Sequence, residues 1–562
     1  MGSNGVSALF RTNFLNFSGS TVEKFSTLIL PLVILTLPLS ALAQAPTPGE
    51  VGETLRPGGI PLLKEKEPPP LPSPPVRERP AAPADERRVR IERFAFSGTT
   101  LYSEERLRQV VADYEGRELT LSEIYQAADQ LTDFFQQEGY SLTTATVPAQ
   151  KMKGGVLRIE VVEGRVGKLL FTGNSGYSDE LLARRMAPLE PGAVVRFDQL
   201  ERRVLLVNDL PGMLARSVML PGEEYGTTDI ELDIEESRWS AQAVLDNHGP
   251  EVVGKWRAAA DFTINNPLKR GDVLGFGYTH TQSSLLKQGR FNYGLPVGHG
   301  GATLNFSYSR AEYDVGGEFK ALGVEGSSEN GSIQLRYPQI RSRRTNLNWQ
   351  GGAVRTMGSS DIGDIPLSDD TIHYLEAGFN FDHRHKNGAS STLSAMLATN
   401  FQSNSDGMDN EALPPRLEVK GSHEYPWGRG WSIFLRAQAV LATDNLPDSN
   451  KFSLGGPTSI RGFTSSAARG DQGVMGTLEL RRVLEFDSML IQARGFVDSG
   501  SVHSRSTLVA PSSSQELSSA GVGLNAMLGA FVLDGAWAIP VDDHDSGEGR
   551  DSQFWFSLTA GF

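Results

Sequence analysis

Histidine and carboxylate residues are the first candidates for chemistry, but their spacing supports little of it. His383 and His385 share one face of a predicted strand, a spacing that suggests a pair of metal ligands. No third ligand lies within reach in the sequence, so the simpler interpretation is two ordinary strand residues. Residues 542–545 form an acidic cluster after Pro540, which is typical of a solvated surface loop.

Other catalytic signatures are absent from the sequence. It contains no Gly-x-Ser-x-Gly frame, no His-Glu-x-x-His motif and no complete phosphate-binding loop. The chain has no cysteine, which excludes thiolate zinc sites, iron–sulfur clusters and cysteine nucleophiles. With 53 basic and 67 acidic residues the net charge is −14, which argues against a nucleic-acid partner. We therefore predict a protein that is not an enzyme and has no cofactor or metal.

The N-terminus predicts an exported protein. Arg11 and Lys24 precede an apolar run over residues 25–39, and small residues at Ala41 and Ala43 form a cleavage pattern. An N-terminal anchor helix is the alternative, but this run is shorter than the roughly 20 residues that a spanning helix needs. We expect a signal peptide at 1–43 and a Pro-rich linker at 44–88.

An internal repeat follows the linker. Phe96-x-Gly98 and its neighbours recur 75 residues later as Phe171-x-Gly173. The patterns predict helices at 103–114 and 121–138 in the first copy and at 178–187 and 197–208 in the second. Strands are predicted at 89–96, 156–162 and 228–234. The repeat thus indicates two small α/β modules, at 89–164 and 165–236.

From residue 237 to the C-terminus, stretches of about ten residues alternate between apolar and small or polar side chains. In residues 553–562, for example, Phe554, Phe556 and Leu558 lie on one face while Gln553 and Ser557 lie on the other. Apolar residues outside and polar residues inside are typical of an outer-membrane β-barrel. The fold class is therefore β-rich, with a C-terminal transmembrane antiparallel β-barrel at 237–562 after the two modules.

Several motifs in this framework closely resemble the TpsB transporters of two-partner secretion, the haemolysin and filamentous haemagglutinin secretion–activation type. In the barrel they are residues 246–249, residues 453–463 with Gly470-Asp471, and residues 495–500. In the modules, which resemble POTRA domains, they are residues 139–140, 147–150 and 162–164 in the first copy and 208–212 and 226–229 in the second. The resemblance covers roughly residues 89–562.

The resemblance implies a 16-stranded barrel in the outer membrane, with the POTRA domains in the periplasm. A long loop carrying Ile460, Arg461, Gly462 and Phe463 would fold into the lumen. There Arg461 would meet Asp498 of the wall motif, which also contains Phe496 and Gly500. Without the surrounding motif, Arg461 would be an ordinary charge of an extracellular loop. The family's N-terminal plug helix is doubtful here, because residues 44–67 are rich in proline and glycine.

The implied function is capture of an extended TpsA-type exoprotein by the POTRA domains and its secretion through the barrel without nucleotide hydrolysis. The candidate cargo groove lies near Tyr125, Leu131 and Phe135, although their helical spacing is also that of core residues. Other expected partners are outer-membrane lipid and the barrel assembly machinery, through the strand ending at Phe562. The chain is expected to be monomeric. An insertase that assembles other barrels is the alternative function, and a passive porin is a weaker one.

Overall fold

The computed structural model describes residues 87–363, 365–405, 408–409, 415–507, 511–541 and 551–562. The expected signal peptide, residues 44–86 of the expected linker with its doubtful plug, and the acidic cluster at 542–545 lie outside the described residues. Within the described ranges, no helix is long and apolar enough to cross a membrane.

The first module packs helices on small sheets. Its elements are β1 (Arg88–Ile91), β2 (Arg93–Ser97), α1 (Glu104–Val110), a 3-10 turn (Ala112–Tyr114), β3 (Arg117–Thr120), α2 (Leu121–Gln137), β4 (Thr144–Thr146) and β5 (Val156–Val162). β2 pairs in parallel with β5, whose other edge holds β4, while β1 pairs with β3. The predicted single strand over 89–96 is therefore split at Glu92, because its two halves pair with different partners.

Local capping sets the helix starts in the first module. Ser103 caps α1 by accepting a hydrogen bond from the Arg106 amide, so the predicted helix starts one residue later. It also stops at Val110 before the 3-10 turn, four residues earlier than expected. Thr120 and Glu123 form a capping box at the start of α2, whose predicted start was Leu121.

The second module repeats this plan with β6 (Arg165–Thr172), α3 (Asp179–Met186), α4 (Phe197–Asn208), β7 (Met213–Pro221) and β8 (Thr227–Glu236). Its sheet has the order β6–β8–β7, with β6 and β8 parallel and β7 antiparallel at the edge. Leu182, Leu200 and Ile230 form part of its core and are fully buried.

Glu163 fixes the junction between the two modules. Its carboxylate is 5% exposed and accepts hydrogen bonds from the Thr100 hydroxyl (2.8 Å) and the Leu101 amide (3.0 Å). The Arg165 guanidinium donates to the same carboxylate over 2.6 Å. Burial alone would raise the pKa of Glu163, but the hydrogen bonds from Thr100 and its neighbours outweigh burial and lower it. The junction is thus tied by a buried carboxylate that stays ionised.

In the described part of the chain, sixteen long strands close into one antiparallel barrel, and two-residue β18 extends the wall. The wall strands are β9 (Trp239–Asp246), β10 (Arg257–Asn265), β11 (Val273–Thr281), β12 (Leu286–Val297), β13 (Ala302–Asp314), β14 (Val324–Arg341), β15 (Thr345–Ile362), β16 (Ile365–Arg384), β17 (Ser390–Ser405), β18 (Met408–Asp409), β19 (Arg416–Gly428), β20 (Trp431–Ala442), β23 (Gln472–Phe486), β24 (Met489–Ser504), β25 (Ser513–Leu528), β26 (Phe531–Pro540) and β27 (Gln553–Gly561). The strands β21 (Phe452–Leu454) and β22 (Ala468–Gly470) form a separate pair.

Side chains alternate across this wall as the sequence predicts. On β24, Val497 is 51% exposed on the outer surface while its neighbours Phe496 and Asp498 are buried inside. On β27, Phe554 lies outside and Trp555 inside. Backbone groups are satisfied between strands around the closed ring, so an apolar outer face can meet lipid.

One end of the barrel contacts the second module. Arg202 of α4 donates to the Pro338 and Gln339 carbonyls near the β14–β15 turn, over 2.8 and 3.0 Å. Arg341 bonds Asp209 at 2.7 Å. The longest connection of the described wall, between β20 and β23, lies at the opposite end and enters the lumen.

Candidate functional site: an arginine clamp inside the barrel

The connection between β20 and β23, residues 443–471, carries the candidate site. Its β21–β22 hairpin pairs Phe452 with Gly470 and Leu454 with Ala468. At the base of the loop, buried Asp471 accepts from the amides of Leu446 (2.8 Å) and Arg505 (2.7 Å). The ends of the loop are therefore fixed to the barrel wall.

Arg461 ties the middle of this loop to the inner wall. Its Nη2 lies 2.7 Å from Asp498 Oδ1 and its Nε 2.8 Å from Asp498 Oδ2, which is a bidentate pair. Its Nη1 donates to Glu479 Oε1 over 2.7 Å. Arg461 and Glu479 are each 5% exposed and Asp498 is fully buried. One guanidinium thus faces two wall carboxylates, a set of contacts that we call the clamp.

Strand pairing explains why the carboxylates converge. Asp498 on β24 is paired with Thr477 on β23, and Glu479 lies two residues further along β23 on the same inner face. Ser519 of β25, also paired with Asp498, donates its hydroxyl to Asp498 Oδ2 over 3.3 Å. Four groups from three strands and one loop therefore meet at one level of the lumen.

Aromatic side chains complete the clamp. The Arg461 guanidinium carbon lies 3.3 Å from the centre of the Phe496 ring, a cation–π contact. The Trp555 indole Nε1 donates to the Arg461 carbonyl over 2.8 Å, so the backbone at this position is fixed as well. Ile460 and Phe463 flank the arginine and pack in an apolar cluster with Leu454 and other loop and wall residues.

Two glycines allow the loop and the wall to touch. A Cβ at Gly462 would lie 2.6 Å from the Ser519 Cβ, and a Cβ at Gly500 would lie 3.0 Å from Leu454 Cδ2. A larger residue at either position would push the loop off the wall. Gly462 therefore lets the loop lie close to β25, and Gly500 lets the wall lie close to Leu454 of β21.

The rest of the lumen is lined by paired charges around a cavity of about 620 Å³. Arg494 forms a bidentate pair with Asp534, at 2.7 and 2.8 Å. Arg481 shares Glu479 with the clamp over 2.8 Å. Arg436 donates to Thr477 Oγ1, and its Nε has no partner among the described residues.

Glu479, Ser519 and Trp555 belong to the clamp, but motif reasoning did not single them out. Inward alternation on β23, β25 and β27 would have included them among many lumen residues. Nothing in the sequence indicated which of those residues meet Arg461, since that depends on the loop's path.

The candidate cargo groove requires a correction. Leu131 and Phe135 are 0% exposed in the core of the first module, against Ile159 and Leu107, so they do not line an open groove. Their helical spacing is that of core residues, because α2 turns one face toward the sheet. Tyr125 is half-buried on the same helix.

The histidine pair acquires a neighbour that the sequence did not indicate. His383 and His385 have ring centroids 4.5 Å apart, and the His423 ring lies 5.9 Å from that of His385. Across the described residues, no group of three or more potential ligands could hold a metal ion. One nitrogen of each of these rings is hydrogen-bonded to a hydroxyl instead.

Comparison with known proteins identifies the family. The model of the haemolysin secretion/activation protein family ShlB/FhaC/HecB matches residues 226–526, more than half of the chain. The chain belongs to this family. A ShlB-type POTRA domain model also matches residues 89–164.

Individual relatives are distant in sequence, but they match most of the chain. The heme/hemopexin transporter protein HuxB of Haemophilus influenzae (strain 86-028NP) is 24% identical over 480 residues, 81% of this chain and 84% of the relative. The outer membrane transporter CdiB of Dickeya dadantii is 22% identical, over 69% of this chain and 72% of its own. The solved structure of CdiB from Escherichia coli superposes with a TM-score of 0.73 at 20% identity, covering 87% and 93%.

Family membership fixes the general function. The protein is a two-partner secretion transporter of the outer membrane, with its POTRA domains on the periplasmic side and a secreted exoprotein as its partner. The insertase alternative is set aside, since the matched family is one of secretion proteins.

Proposed function

We propose that the 443–471 loop is the gate of the secretion pore and that the Arg461 clamp holds it closed. The observation that carries this proposal is the burial of a loop arginine against two wall carboxylates, Asp498 and Glu479. Since the loop and the exoprotein would occupy the same lumen, the clamp must open before secretion proceeds.

The energetics of the clamp support a gate that opens rarely. Removing one partner from a buried ion pair leaves the other charge uncompensated, which typically costs about 3–5 kcal/mol. In the lumen, water entering behind the loop and the neighbouring charges of Arg436 and Arg481 reduce that cost. The loop is therefore held firmly without being permanently fixed.

For exoprotein capture, we propose the free edge of β7 in the second POTRA domain. Among the described residues, β7 pairs only with β8, and it is nine residues long, against three for the edge strand β4. The Asn208 side chain bonds the Ala215 amide and carbonyl, both of which point away from β8. By the two-residue period, Ser217 and Met219 point their main-chain groups the same way, so an extended peptide could add there.

Apolar side chains beside this edge support the same proposal. Val218 is 42% exposed and Leu220 38% exposed on the solvent face of the sheet, with Leu170 of β6 in the row of Val218. Main-chain hydrogen bonds would supply affinity, and these side chains would favour apolar residues at alternate positions of the exoprotein.

The proposal also covers the driving force of secretion, the domain organisation and the remaining partners. Folding of the exoprotein outside the cell would supply the driving free energy, without nucleotide hydrolysis and without catalysis by this chain. We infer an organisation of signal peptide (1–43), linker (44–88), two POTRA domains (89–164 and 165–236) and barrel (237–562). Recognition by the barrel assembly machinery through the strand ending at Phe562, and a monomeric state, belong to the same proposal.

The test is secretion by an Arg461→Ala variant. Exoprotein in the medium is measured per folded barrel, with the folded fraction quantified by heat-modifiable electrophoretic mobility. We expect normal insertion and at least a tenfold fall in secretion, because a loop without its anchor no longer adopts a defined closed and open position. Ion conductance in planar bilayers should become noisier.

Arg494→Ala is the matched control. It removes another lumen arginine from a bidentate carboxylate pair, but both partners belong to the wall. Secretion should stay near the wild-type rate in this variant. An Arg461→Ala protein that inserts normally and secretes at the wild-type rate would contradict the proposed gate.

A further inference from the structure

A row of polar side chains lies on the outer surface of the barrel near its periplasmic end. Thr345, His383, Ser391 and His423 are direct partners across β15, β16, β17 and β19. The next partner in this row is Leu435, which is 49% exposed on the lipid-facing surface. The row therefore faces outward, beside apolar residues of the lipid-facing surface.

Hydrogen bonds link these side chains together. Thr345 Oγ1 lies 2.8 Å from His383 Nδ1. Ser391 Oγ lies 2.9 Å from both His385 Nε2 and His423 Nδ1, so one hydroxyl joins two imidazoles. In the described part of the chain, the second nitrogen of each ring has no hydrogen-bonding partner. Three imidazoles thus each keep one ring nitrogen for an external group.

Aromatic residues locate this row at the membrane surface. Phe381 stacks on His383 from the side of the apolar belt, with ring centroids 6.4 Å apart. Tyr425 and Trp427 follow His423 toward the periplasmic turn and are 45% and 53% exposed. Tyrosine and tryptophan mark the headgroup level of a membrane, and polar rings in the hydrocarbon would be costly. The histidines therefore lie at the depth of phospholipid phosphates.

The charges around the row favour an anion. On β16 and β19 the neighbouring carboxylates, Asp382 and Glu424, lie on the opposite face and bond Asn346 and Ser432. Lys386 in the β16–β17 turn is exposed and supplies a positive charge beside the row. On the side of the second POTRA domain, Glu201 is paired with Arg343.

We propose that His383, His385 and His423, arranged by Ser391, form a binding site for the phosphate of an anionic phospholipid headgroup in the periplasmic leaflet. A neutral imidazole that accepts a hydrogen bond from Thr345 or Ser391 keeps its other N–H to donate to a phosphate oxygen. Because the single Ser391 proton serves only one of its two rings, His383 and one of the rings joined by Ser391 can donate at the same time. The site would anchor the barrel at the edge where the second POTRA domain attaches, which is a role separate from the gate.

The experiment measures the lipids around the full-length protein in nanodiscs made from phosphatidylglycerol and phosphatidylethanolamine. Phosphatidylglycerol retained by the protein is counted by native mass spectrometry. We expect the triple variant H383A/H385A/H423A to retain at least about fivefold less phosphatidylglycerol than the wild type, since losing a hydrogen bond to a charged group costs on that scale.

Two further variants keep the result interpretable. His503→Ala removes an outward imidazole that pairs with Ser514 near the other end of the wall, and should leave retention at the periplasmic site unchanged. Ser391→Ala keeps all three imidazoles but removes the hydroxyl that joins two of them, so retention should fall less than in the triple variant. Ser391→Ala also provides a test if the triple variant folds poorly.

Two outcomes would overturn the proposal. One is equal phosphatidylglycerol retention by the wild type and by the folded triple variant. The other is displacement of the lipid by inorganic phosphate at equal concentration, which would indicate a site for the free ion instead of a headgroup. Secretion by the triple variant is a separate measurement, so failure here would not bear on the gate.

Discussion

Two buried ions hold two different segments of this transporter, and they do so with different partners. Arg461 holds the lumen loop through carboxylates of two wall strands, more than fifteen residues away in sequence. Glu163 holds the junction of the POTRA domains through the 99–101 turn and Arg165 beside it. The first contact joins side chains that could each find another partner in the lumen, whereas the second uses main-chain amides that cannot move away.

This difference indicates which segment can move. A guanidinium that leaves Asp498 and Glu479 leaves them among Arg436 and Arg481, so the lumen can reassemble its charges. A turn that leaves Glu163 leaves a buried carboxylate with Arg165 as its remaining donor, and exposes the amides of Thr100 and Leu101. Buried charge therefore makes a releasable contact in the barrel and a permanent one in the POTRA junction.

The largest expected effect comes from breaking the clamp on the wall side. Asp498→Ala should lower the stability of the closed loop by about 3–5 kcal/mol, because it leaves Arg461 buried with Glu479 alone. The double variant R461A/D498A should lose less than the two single variants added together. Proteolytic nicking of the 443–471 loop in folded barrels measures this. Additive effects would mean that the pair does not hold the loop.

The junction should show the next largest effect. Glu163→Ala removes several charge-assisted hydrogen bonds, so the free energy of unfolding of the POTRA region should fall by about 2–3 kcal/mol. Hydrogen exchange of residues 97–102 in the full chain measures it. Thr146, whose side chain contacts one carbonyl nearby, offers Thr146→Ala as a mild control in the same domain.

The same junction has a predictable pH dependence. The pKa of Glu163 is lowered by its hydrogen bonds against the effect of burial, so its contribution is fully present above about pH 4.3, the ordinary value for glutamate. That contribution should be lost as the pH falls through the lower pKa of the folded state. Glu163→Gln should therefore melt at a lower temperature than the wild type at neutral pH, and this difference should shrink below about pH 4. A constant difference across this range would contradict the assignment.

The smallest expected effect tests whether Arg436 can replace Arg461 as the partner of the wall carboxylates. Arg436, Thr477 and Asp498 are direct partners across β20, β23 and β24. The backbones of Arg436 and Asp498 are therefore about 10 Å apart, with the short Thr477 side chain between them. We expect Arg436→Ala to change barrel melting little by itself. In the Arg461→Ala background it should cost about 1–2 kcal/mol more, because Arg436 then becomes the nearest available cation.

Arg494→Ala serves as the control in both backgrounds. Its pair with Asp534 is complete without the loop, so its effect should be the same with and without Arg461. An Arg436→Ala effect that is also independent of Arg461 would mean that the lumen does not reassemble its charges.

Much of the architecture could be predicted from the sequence because it repeats locally. The start of α2 at Leu121, all of α4 over Phe197–Asn208, and the two-residue period of β27 depend on neighbouring residues in the chain. The family motifs implied the Arg461–Asp498 contact, which the structure contains. The split of β1 from β2 was missed, since it depends on β3 and β5 as partners rather than on residues 88–97 themselves.

The alternation of the wall, the two modules and the motif that carries Arg461 could therefore be predicted from the residues, and so could the core spacing of Leu131 and Phe135. Only the folded barrel shows that Glu479 and Trp555 meet this arginine and that His423 joins His383 and His385. The physical reason is the same in each case. Side-chain periodicity depends on adjacent residues. The register between strands, and the contact of the lumen loop with β27, join residues far apart in sequence and are set by closure of the whole barrel.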